Sequence, residues 1–168
     1  MNRKMVLIGA IGAALVGTLV LAAMAPISSA QTTPTHLEVF NVEGPFEKDV
    51  DVAKPGFPTA GDYAIESQPL LDPADGTPIG RSLSQLTIVR ALARGQDLEI
   101  VLNSTMRLVQ GDFLLNGGLR FSELLDGGAI AVVGGTGDFA GARGTAVFAS
   151  GTVAGKDGFV LSIDITTG

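Results

Sequence analysis

The sequence predicts an all-β fold, a closed antiparallel barrel of about eight strands. Short apolar runs alternate with glycine, proline and aspartate from residue 36 to the end of the chain, and no convincing amphipathic helix lies between them. In 97–108, apolar and polar residues alternate over a stretch about twice as long as a typical strand of five or six residues. Twenty of the 23 glycines follow residue 30, and barrel closure protects the edges of such glycine-weakened strands.

The first part of the chain, 1–30, has the layout of a signal peptide. A short basic start is followed by the uncharged stretch 5–25, a proline and small residues. We expect cleavage between Ala30 and Gln31, which would leave one secreted domain. The alternative is a retained membrane anchor, because 5–25 exceeds the roughly 18 residues needed to span a bilayer.

The remaining chain, 31–168, is expected to form a single barrel domain. Its strands are predicted from apolar runs with high β propensity, at 36–42, 79–89, 97–108, 112–121, 129–133, 145–150 and 159–165. Glycine-containing turns are predicted between strands, at 72–76, 94–96, 110–111, 126–128 and 156–158. A longer loop, 43–62, is interrupted by prolines and glycines, and it serves either as part of a cavity rim or as a plain connection.

Composition and charge exclude several classes of function. After the leader, nine basic residues stand against seventeen acidic ones, a formal charge of −8, so we expect no nucleic-acid partner. The chain has no cysteine, which excludes disulfides and thiolate metal sites. His36 is the one histidine, and a single histidine cannot supply the ligand set of a metal site. The chain also has no Gly-x-Ser-x-Gly nucleophile with which His36 could form a catalytic triad. We therefore expect no metal and no cofactor.

A glycine-rich segment, 134–144, reads Gly-Gly-Thr-Gly-Asp-Phe-Ala-Gly-Ala-Arg-Gly. It lacks the Lys-Ser/Thr of a phosphate-binding loop, and Gly135-x-Gly137 is not followed by the rest of a dinucleotide fingerprint in a β-α-β unit, so the glycines are expected to turn one strand into the next. Phe139 should then close one end of the barrel, and Arg143 should pair with Asp138 or cap carbonyl groups. The structural positions of this motif are Gly134, Gly135, Thr136, Gly137, Phe139, Arg143 and Gly144.

The motif resembles the Gly-Gly-Thr-Gly-x-Phe-x-x-Ala-Arg-Gly signature of dirigent proteins, and it is similar to the Gly-Gly-Ser-Gly segment of plant allene oxide cyclases. The resemblance extends over about 37–150 and is strongest over 132–144. It implies an eight-stranded barrel of the calycin type, a homotrimer or another homo-oligomer, and a small hydrophobic or phenolic molecule as partner. A membrane partner is expected only if the leader is retained.

The resemblance also implies candidate catalytic residues on the first predicted strand. Allene oxide cyclases use a glutamate and an asparagine there, and Glu38 and Asn41 are the corresponding residue types. In those enzymes the two are two positions apart, whereas here they are three apart and should point to opposite faces of a regular strand. Phe40 on the same strand is a candidate ligand contact.

Dirigent proteins use aspartates and an arginine at the cavity mouth, and the corresponding candidates here are Asp72 and Arg120. Asp72 has a second interpretation as a turn-capping residue, and Arg120 as a solvated surface charge. Phe121, next to Arg120, is a further candidate ligand contact.

Two functions follow from these features. The first is a secreted barrel that binds a small hydrophobic or aromatic molecule. The resemblance implies that such a barrel steers the stereoselective cyclisation or coupling of this molecule, an isomerase-type activity without a cofactor. The second is a non-catalytic exported barrel whose outer face serves assembly or adhesion. The apolar face of 97–108 fits both functions, and the sequence leaves open whether the protein is an enzyme.

Overall fold

The computed structural model describes residues 34–52, 58–92 and 97–168. The predicted leader, its cleavage site and the turn at 94–96 lie outside these residues. The regular elements, in chain order, are β1 (Pro34–Val42), β2 (Lys48–Val50), β3 (Tyr63–Leu71), β4 (Pro78–Ala91), β5 (Leu98–Leu108), β6 (Gly111–Arg120), α1 (Phe121–Leu125), β7 (Asp126–Gly135), β8 (Arg143–Val153) and β9 (Lys156–Thr166). Across the described ranges, no helix is both long and apolar enough to cross a membrane.

The strands form a closed antiparallel barrel, as predicted. Eight of them follow the order β1-β9-β8-β7-β6-β5-β4-β3, and pairing between β3 and β1 closes the ring. This closing seam has two residue pairs, Phe40 with Leu71 and Asn41 with Leu70. Strand β2 then continues along the same edge of β3, with Lys48 opposite Ile65.

Residues 43–47, which connect β1 to β2, are held against β3 by the side chain of Gln68. Gln68 is buried, and its Nε2 donates a hydrogen bond of 3.1 Å to the carbonyl oxygen of Pro45. The backbone N–H of Glu47 also donates to the carbonyl of Ile65 at 2.8 Å. Residues 40–50 therefore act as one bent strand along β3, which extends the seam beyond its two formal pairs.

The structure corrects several sequence predictions, among them the turns predicted at 126–128 and 156–158, which lie inside β7 and β9. The predicted loop 43–62 contains strand β2, and β3 was not predicted as a strand. Its inward positions include Glu66 and Gln68, so it lacks the apolar alternation that identifies a half-buried strand. The predicted strand 112–121 ends at Arg120, because Phe121 begins the single-turn helix α1.

The barrel interior is mainly apolar, with buried polar side chains at Asn41, Gln68, Ser82, Ser84 and Ser104. Strand β5 shows the predicted alternation, with Ile100, Leu102, Ser104 and Met106 buried and Asn103 exposed between them. Many of the buried apolar residues form one continuous cluster, which includes Val39, Leu70, Phe113, Leu115, Val132, Ala146, Leu161 and Ile163. The apolar face of β5 therefore faces inward, which decides one question that the sequence left open.

The glycine-rich motif connects β7 to β8, as predicted. Gly137 has a φ of 58°, and a side chain on Gly144 would clash with the carbonyl oxygen of Asp164 on β9. Phe139 is buried and meets Phe113 edge to face, with ring centroids 5.5 Å apart. Arg143 donates to the carbonyl oxygen of Ala142 at 2.7 Å, so of its two predicted roles the structure shows carbonyl capping.

Candidate functional site

A cavity of about 420 Å³ opens at the end of the barrel where β1 begins, here called the lower mouth. Its wall is apolar and belongs to the barrel core or packs against it, and it comprises Leu37, Val39, Ile79, Leu108, Phe139 and Ile165. Its polar lining comprises Thr35, Glu38, Asp72, Gln110, Asp138 and Thr167. An apolar pocket with a few converging polar groups is the usual form of a small-molecule site.

The lower mouth exists because the barrel strands are staggered. Strand β3 ends at Leu71, which lies opposite Phe40, so the first half of β1 extends past the end of β3. Among the described strand pairings, residues 34–39 pair with β9 on one side, and on the other side the chain turns away at Asp72. The gap between β1 and this turn brings Glu38 and Asp72 to the same cavity.

Glu38 lies at the exposed outer edge of the lower mouth, with 54% of its side chain accessible. His36 lies on the same face of β1, with its Nε2 3.9 Å from Glu38 Oε1 and its Nδ1 2.8 Å from Asp164 Oδ1. The hydrogen bond to Asp164, together with the two nearby carboxylates, raises the pKa of His36 above its usual 6.5. Glu38 is therefore accessible to a ligand that enters the mouth.

Asp72 is held by the turn that it begins. Its Oδ1 accepts a hydrogen bond of 2.8 Å from the backbone N–H of Ala74, and its own N–H donates to the carbonyl of Thr77. Gly76, with a φ of 75°, completes the reversal. The turn-capping role expected for Asp72 is thus present, and the same geometry fixes its carboxylate beside the cavity.

The glycine-rich motif supplies a third carboxylate to the lower mouth. The backbone N–H of Asp138 donates to the carbonyl of Gln110 at 3.0 Å, and that of Phe139 donates to the carbonyl of Thr136 at 3.0 Å. These bonds place the Phe139 ring in the apolar wall and Asp138 in the polar lining. Sequence reasoning treated this motif as structural and did not include Asp138 among the site residues.

Asn41 lies inside the barrel rather than at the lower mouth. It is buried, and its Oδ1 accepts a hydrogen bond of 2.7 Å from the hydroxyl of Ser82. Because Glu38 is exposed, the two residues face opposite sides of β1, as their spacing predicts. Phe40, the predicted ligand contact, is fully buried opposite Leu71 and is not among the residues that line the lower mouth.

Arg120 and Phe121 lie at the opposite end of the barrel. Phe121 lines a second cavity of about 330 Å³, together with Phe46, Tyr63 and three aspartates, one of which is Asp62. Arg120 ends β6 beside it, across from Glu99. The structure therefore brings Glu38 and Asp72 together but leaves Arg120 and Phe121 far from them.

One polar group of the barrel wall was missed by sequence reasoning. Glu66 lies on β3 between the inward-facing Ala64 and Gln68, opposite Ser84 on β4. Burial raises the pKa of Glu66, and the charge of Glu43 adds to this. The sequence carried no periodic signal for this residue, because Glu66, Ser67 and Gln68 are three consecutive polar residues and do not resemble a core strand. Within the described part of the chain, no group of three or more histidine, aspartate or glutamate residues is arranged to hold a metal ion.

Comparisons with known proteins show which solved structures share this fold. No protein-family model matches the chain, and no curated protein matches its sequence. Pyocyanin demethylase superposes with a TM-score of 0.65 at 19% identity, over 79% of this chain and 100% of its own. A pterocarpan synthase dirigent protein superposes at 0.61 with 22% identity, over 89% and 99%. The Diels-Alderase AbmU from Streptomyces koyangensis superposes at 0.59 with 14% identity, over 83% and 70%. The chain thus has a barrel fold like that of dirigent proteins and Diels-Alderases.

Proposed function

We propose that the lower mouth binds a small hydrophobic or aromatic molecule and steers its cyclisation or coupling without a cofactor. The observation that carries this proposal is the 420 Å³ cavity, whose apolar wall continues into the core and whose polar lining holds Glu38 and Asp72. Support comes from solved structures with the same fold, which include a pterocarpan synthase dirigent protein and a Diels-Alderase.

The chemistry follows from shape and from the carboxylates. An apolar wall that holds a flexible molecule in one folded conformation brings its reacting atoms together, which lowers the entropic part of the barrier. Glu38, Asp72 and Asp138 can accept or return a proton as a ring closes, provided that the bound molecule places its reacting hydrogen within about 3 Å of one of them. In this mechanism the cavity wall sets the stereochemical outcome.

The test fills the lower mouth while leaving the barrel intact. Ile79→Trp adds bulk to the cavity wall, whereas Val147→Trp adds the same side chain on the exposed outer face of β8. Binding of naphthalene-sized aromatic molecules to the protein starting at Gln31 is measured by fluorescence anisotropy of the ligand. We expect Ile79→Trp to abolish binding and Val147→Trp to retain it. Equal binding by both variants would refute this location.

We further propose that the protein acts outside the cell after loss of residues 1–30. The support is the basic start, uncharged stretch and small residues that precede Gln31. Determining the N-terminal residue of the exported protein tests this. A mature chain that begins at Gln31 supports secretion, and an intact 5–25 supports the alternative of a membrane anchor.

A second candidate function, assembly with further copies of the chain, is favoured by a groove on the outer face of the sheet. Leu83, Leu114 and Val133, exposed by 38–41%, line this groove of about 470 Å³. The other lining residues on β4 to β7 are uncharged, and the acidic residues of the groove, Glu47 and Glu66, lie at its β3 side, so two copies of the chain can meet through the β4 to β7 part.

Sedimentation equilibrium tests this second function. Leu114→Lys should convert a homotrimer, or another homo-oligomer, into monomers, whereas Val89→Lys on exposed β4 should not. A wild-type protein that stays monomeric at high concentration would exclude assembly through this groove.

A further inference from the structure

The lower mouth has an unbalanced charge. Three carboxylates line it, from Glu38 on β1, Asp72 in the turn after β3, and Asp138 in the glycine-rich motif. Among its described lining residues, none is a lysine or an arginine. The three acids come from separate parts of the chain, so their convergence is a property of the folded barrel rather than of one acidic segment.

The arginines near this end of the barrel are directed away from the mouth, including Arg81 on the outer face of β4, next to the buried Ser82. Arg143 donates to the carbonyl oxygen of Ala142, and Arg107 lies with its Nε 3.7 Å from Asp112 Oδ2. Arg107 is on the outer face of β5, because its neighbour Met106 is in the core. Nε2 of His36 lies 3.9 Å from Oε1 of Glu38, and the raised pKa of His36 favours the charged imidazolium, so it offsets part of the Glu38 charge. Among the described residues, no basic side chain forms an ion pair with Asp72 or Asp138, so a negative potential remains inside the mouth.

From this arrangement we infer that the lower mouth selects apolar ring compounds that are positively charged or neutral and rejects those that carry a carboxylate. The inference rests on the proposed function and names its substrate class. The apolar wall supplies affinity for the ring of the ligand, and the carboxylates at the mouth determine which ligand charge is favoured. A ligand carboxylate would meet like charges from Asp72 and Asp138 and, at the exposed outer edge, from Glu38, whereas an ammonium or iminium group would be attracted by them.

The same potential bears on the reaction. A ring closure that passes through a positively charged intermediate is favoured beside Glu38, Asp72 and Asp138, because the carboxylates stabilise the charge as it forms. A ring closure that passes through an enolate or another oxyanion is disfavoured, since no lysine or arginine lines the described part of the cavity to stabilise the negative charge. The selected class therefore includes aromatic amines, nitrogen heterocycles and neutral phenols.

The experiment uses three probes with the same ring and different charge: 1-naphthylmethylamine, 1-naphthylmethanol and 1-naphthoate. Their dissociation constants for the chain starting at Gln31 are measured at pH 7 by ligand fluorescence anisotropy. We expect the amine to bind at least about tenfold more tightly than naphthoate, with the alcohol between them. The ratio should shrink between 0.05 and 0.5 M salt, because counterions screen the carboxylates.

A neutralised variant with Glu38→Gln, Asp72→Asn and Asp138→Asn should bring the amine-to-naphthoate ratio close to one and leave the alcohol unaffected. The matched control removes three charges away from the lower mouth, with Glu47→Gln, Asp126→Asn and Asp157→Asn, and should keep the wild-type ratio.

The possible outcomes separate the two proposals. Failure of all three probes to bind, or binding that Ile79→Trp does not affect, would overturn the proposed function itself. Binding that Ile79→Trp blocks, but with naphthoate as tight as the amine, would overturn the charge selection and leave the proposed function standing. A wild-type ratio that does not respond to salt would also contradict the inference, and this measurement needs no variant.

Discussion

The hydroxyl of Ser82 on β4 donates a hydrogen bond of 2.7 Å to Oδ1 of Asn41 on β1. These strands are not neighbours in the barrel, because β3 lies between them. The bond therefore spans the closing seam from inside, directly beside the Asn41 and Leu70 pair. Asn41, which resembled a catalytic residue in the sequence, has a structural partner at the point where the ring closes.

Removing this hydroxyl should weaken the closing seam. Ser82→Ala leaves the buried Asn41 oxygen without its donor, so we expect the free energy of unfolding to fall by about 1–3 kcal/mol. Chemical denaturation measures the loss. Ser162→Ala on β9 removes a half-buried hydroxyl and should cost less. Equal losses in the two variants would show that the bond across the seam has no special role.

Phe139 should contribute strongly to stability as well as to the lower mouth. The ring is 7% exposed and packs edge to face on Phe113, so Phe139→Ala should cost about 3–5 kcal/mol. Phe121→Ala removes a ring that is 41% exposed at the other end and should cost considerably less. Thermal unfolding compares them, and an unchanged melting temperature for Phe139→Ala would exclude its role as a plug.

The last glycine of the motif is required by close packing of β8 on β9. A Cβ on Gly144 would clash with the carbonyl oxygen of Asp164, and we expect Gly144→Ala to cost about 1–3 kcal/mol. Gly118→Ala is the matched control, since its Cβ would meet the carbonyl oxygen of Ile100 at an ordinary contact distance of 3.6 Å. The prediction is wrong if both variants unfold at the same denaturant concentration.

Glu66 should make stability depend on pH in the direction opposite to most carboxylates. Burial, with a contribution from Glu43, raises its pKa above the ordinary 4.5, so the folded state holds the proton more tightly than the unfolded chain. Stability from this group is present below pH 4.5 and is lost as pH rises from 4.5 through the folded-state pKa.

Glu66→Gln should therefore stabilise the protein at pH 7 and flatten this fall. Denaturation measured from pH 4 to 8 tests the expectation. The control Glu47→Gln removes one exposed carboxylate from the adjacent segment and should leave the fall in place. A Glu66→Gln variant less stable than wild type at pH 7 would contradict the assignment.

Asp62 should anchor the segment that precedes β3. Its carboxylate accepts hydrogen bonds from the backbone N–H groups of Val52 at 2.6 Å and Thr59 at 2.7 Å, and from the Thr59 hydroxyl at 2.9 Å. These hydrogen bonds lower the pKa of Asp62 below its ordinary 3.8, and the bond from the backbone N–H of Val52 has the largest effect. Their stabilisation is therefore present above pH 3.8 and is lost as pH falls through the lowered pKa.

Asp62→Ala should release this segment without unfolding the barrel. We expect amide hydrogen exchange at Val52 and Thr59 to accelerate by at least about tenfold at pH 7, with little change in β5 and β6. Asp49→Ala on β2 is an exposed control of the same charge change. Unchanged protection at Val52 and Thr59 would show that the carboxylate does not hold the segment.

The sequence by itself determined the features that depend on neighbours along the chain. The alternation in 97–108 identified β5 and its apolar face, and the glycines of 134–144 identified the tight connection after β7, because both signals are local. It also excluded sites that need cysteine or a second histidine. Strand β3 escaped prediction, since its inward positions carry Glu66 and Gln68 rather than an apolar face.

Only the tertiary structure decided which residues share a site. Glu38 and Asp72 meet at the lower mouth because β3 ends opposite Phe40, which is a consequence of strand stagger around the closed ring. The direction of β6 places Arg120 at the other end, and the alternation along β1 places Asn41 inside, although each resembled a catalytic residue in the sequence. Register and closure arise from long-range pairing, so no local pattern carries them.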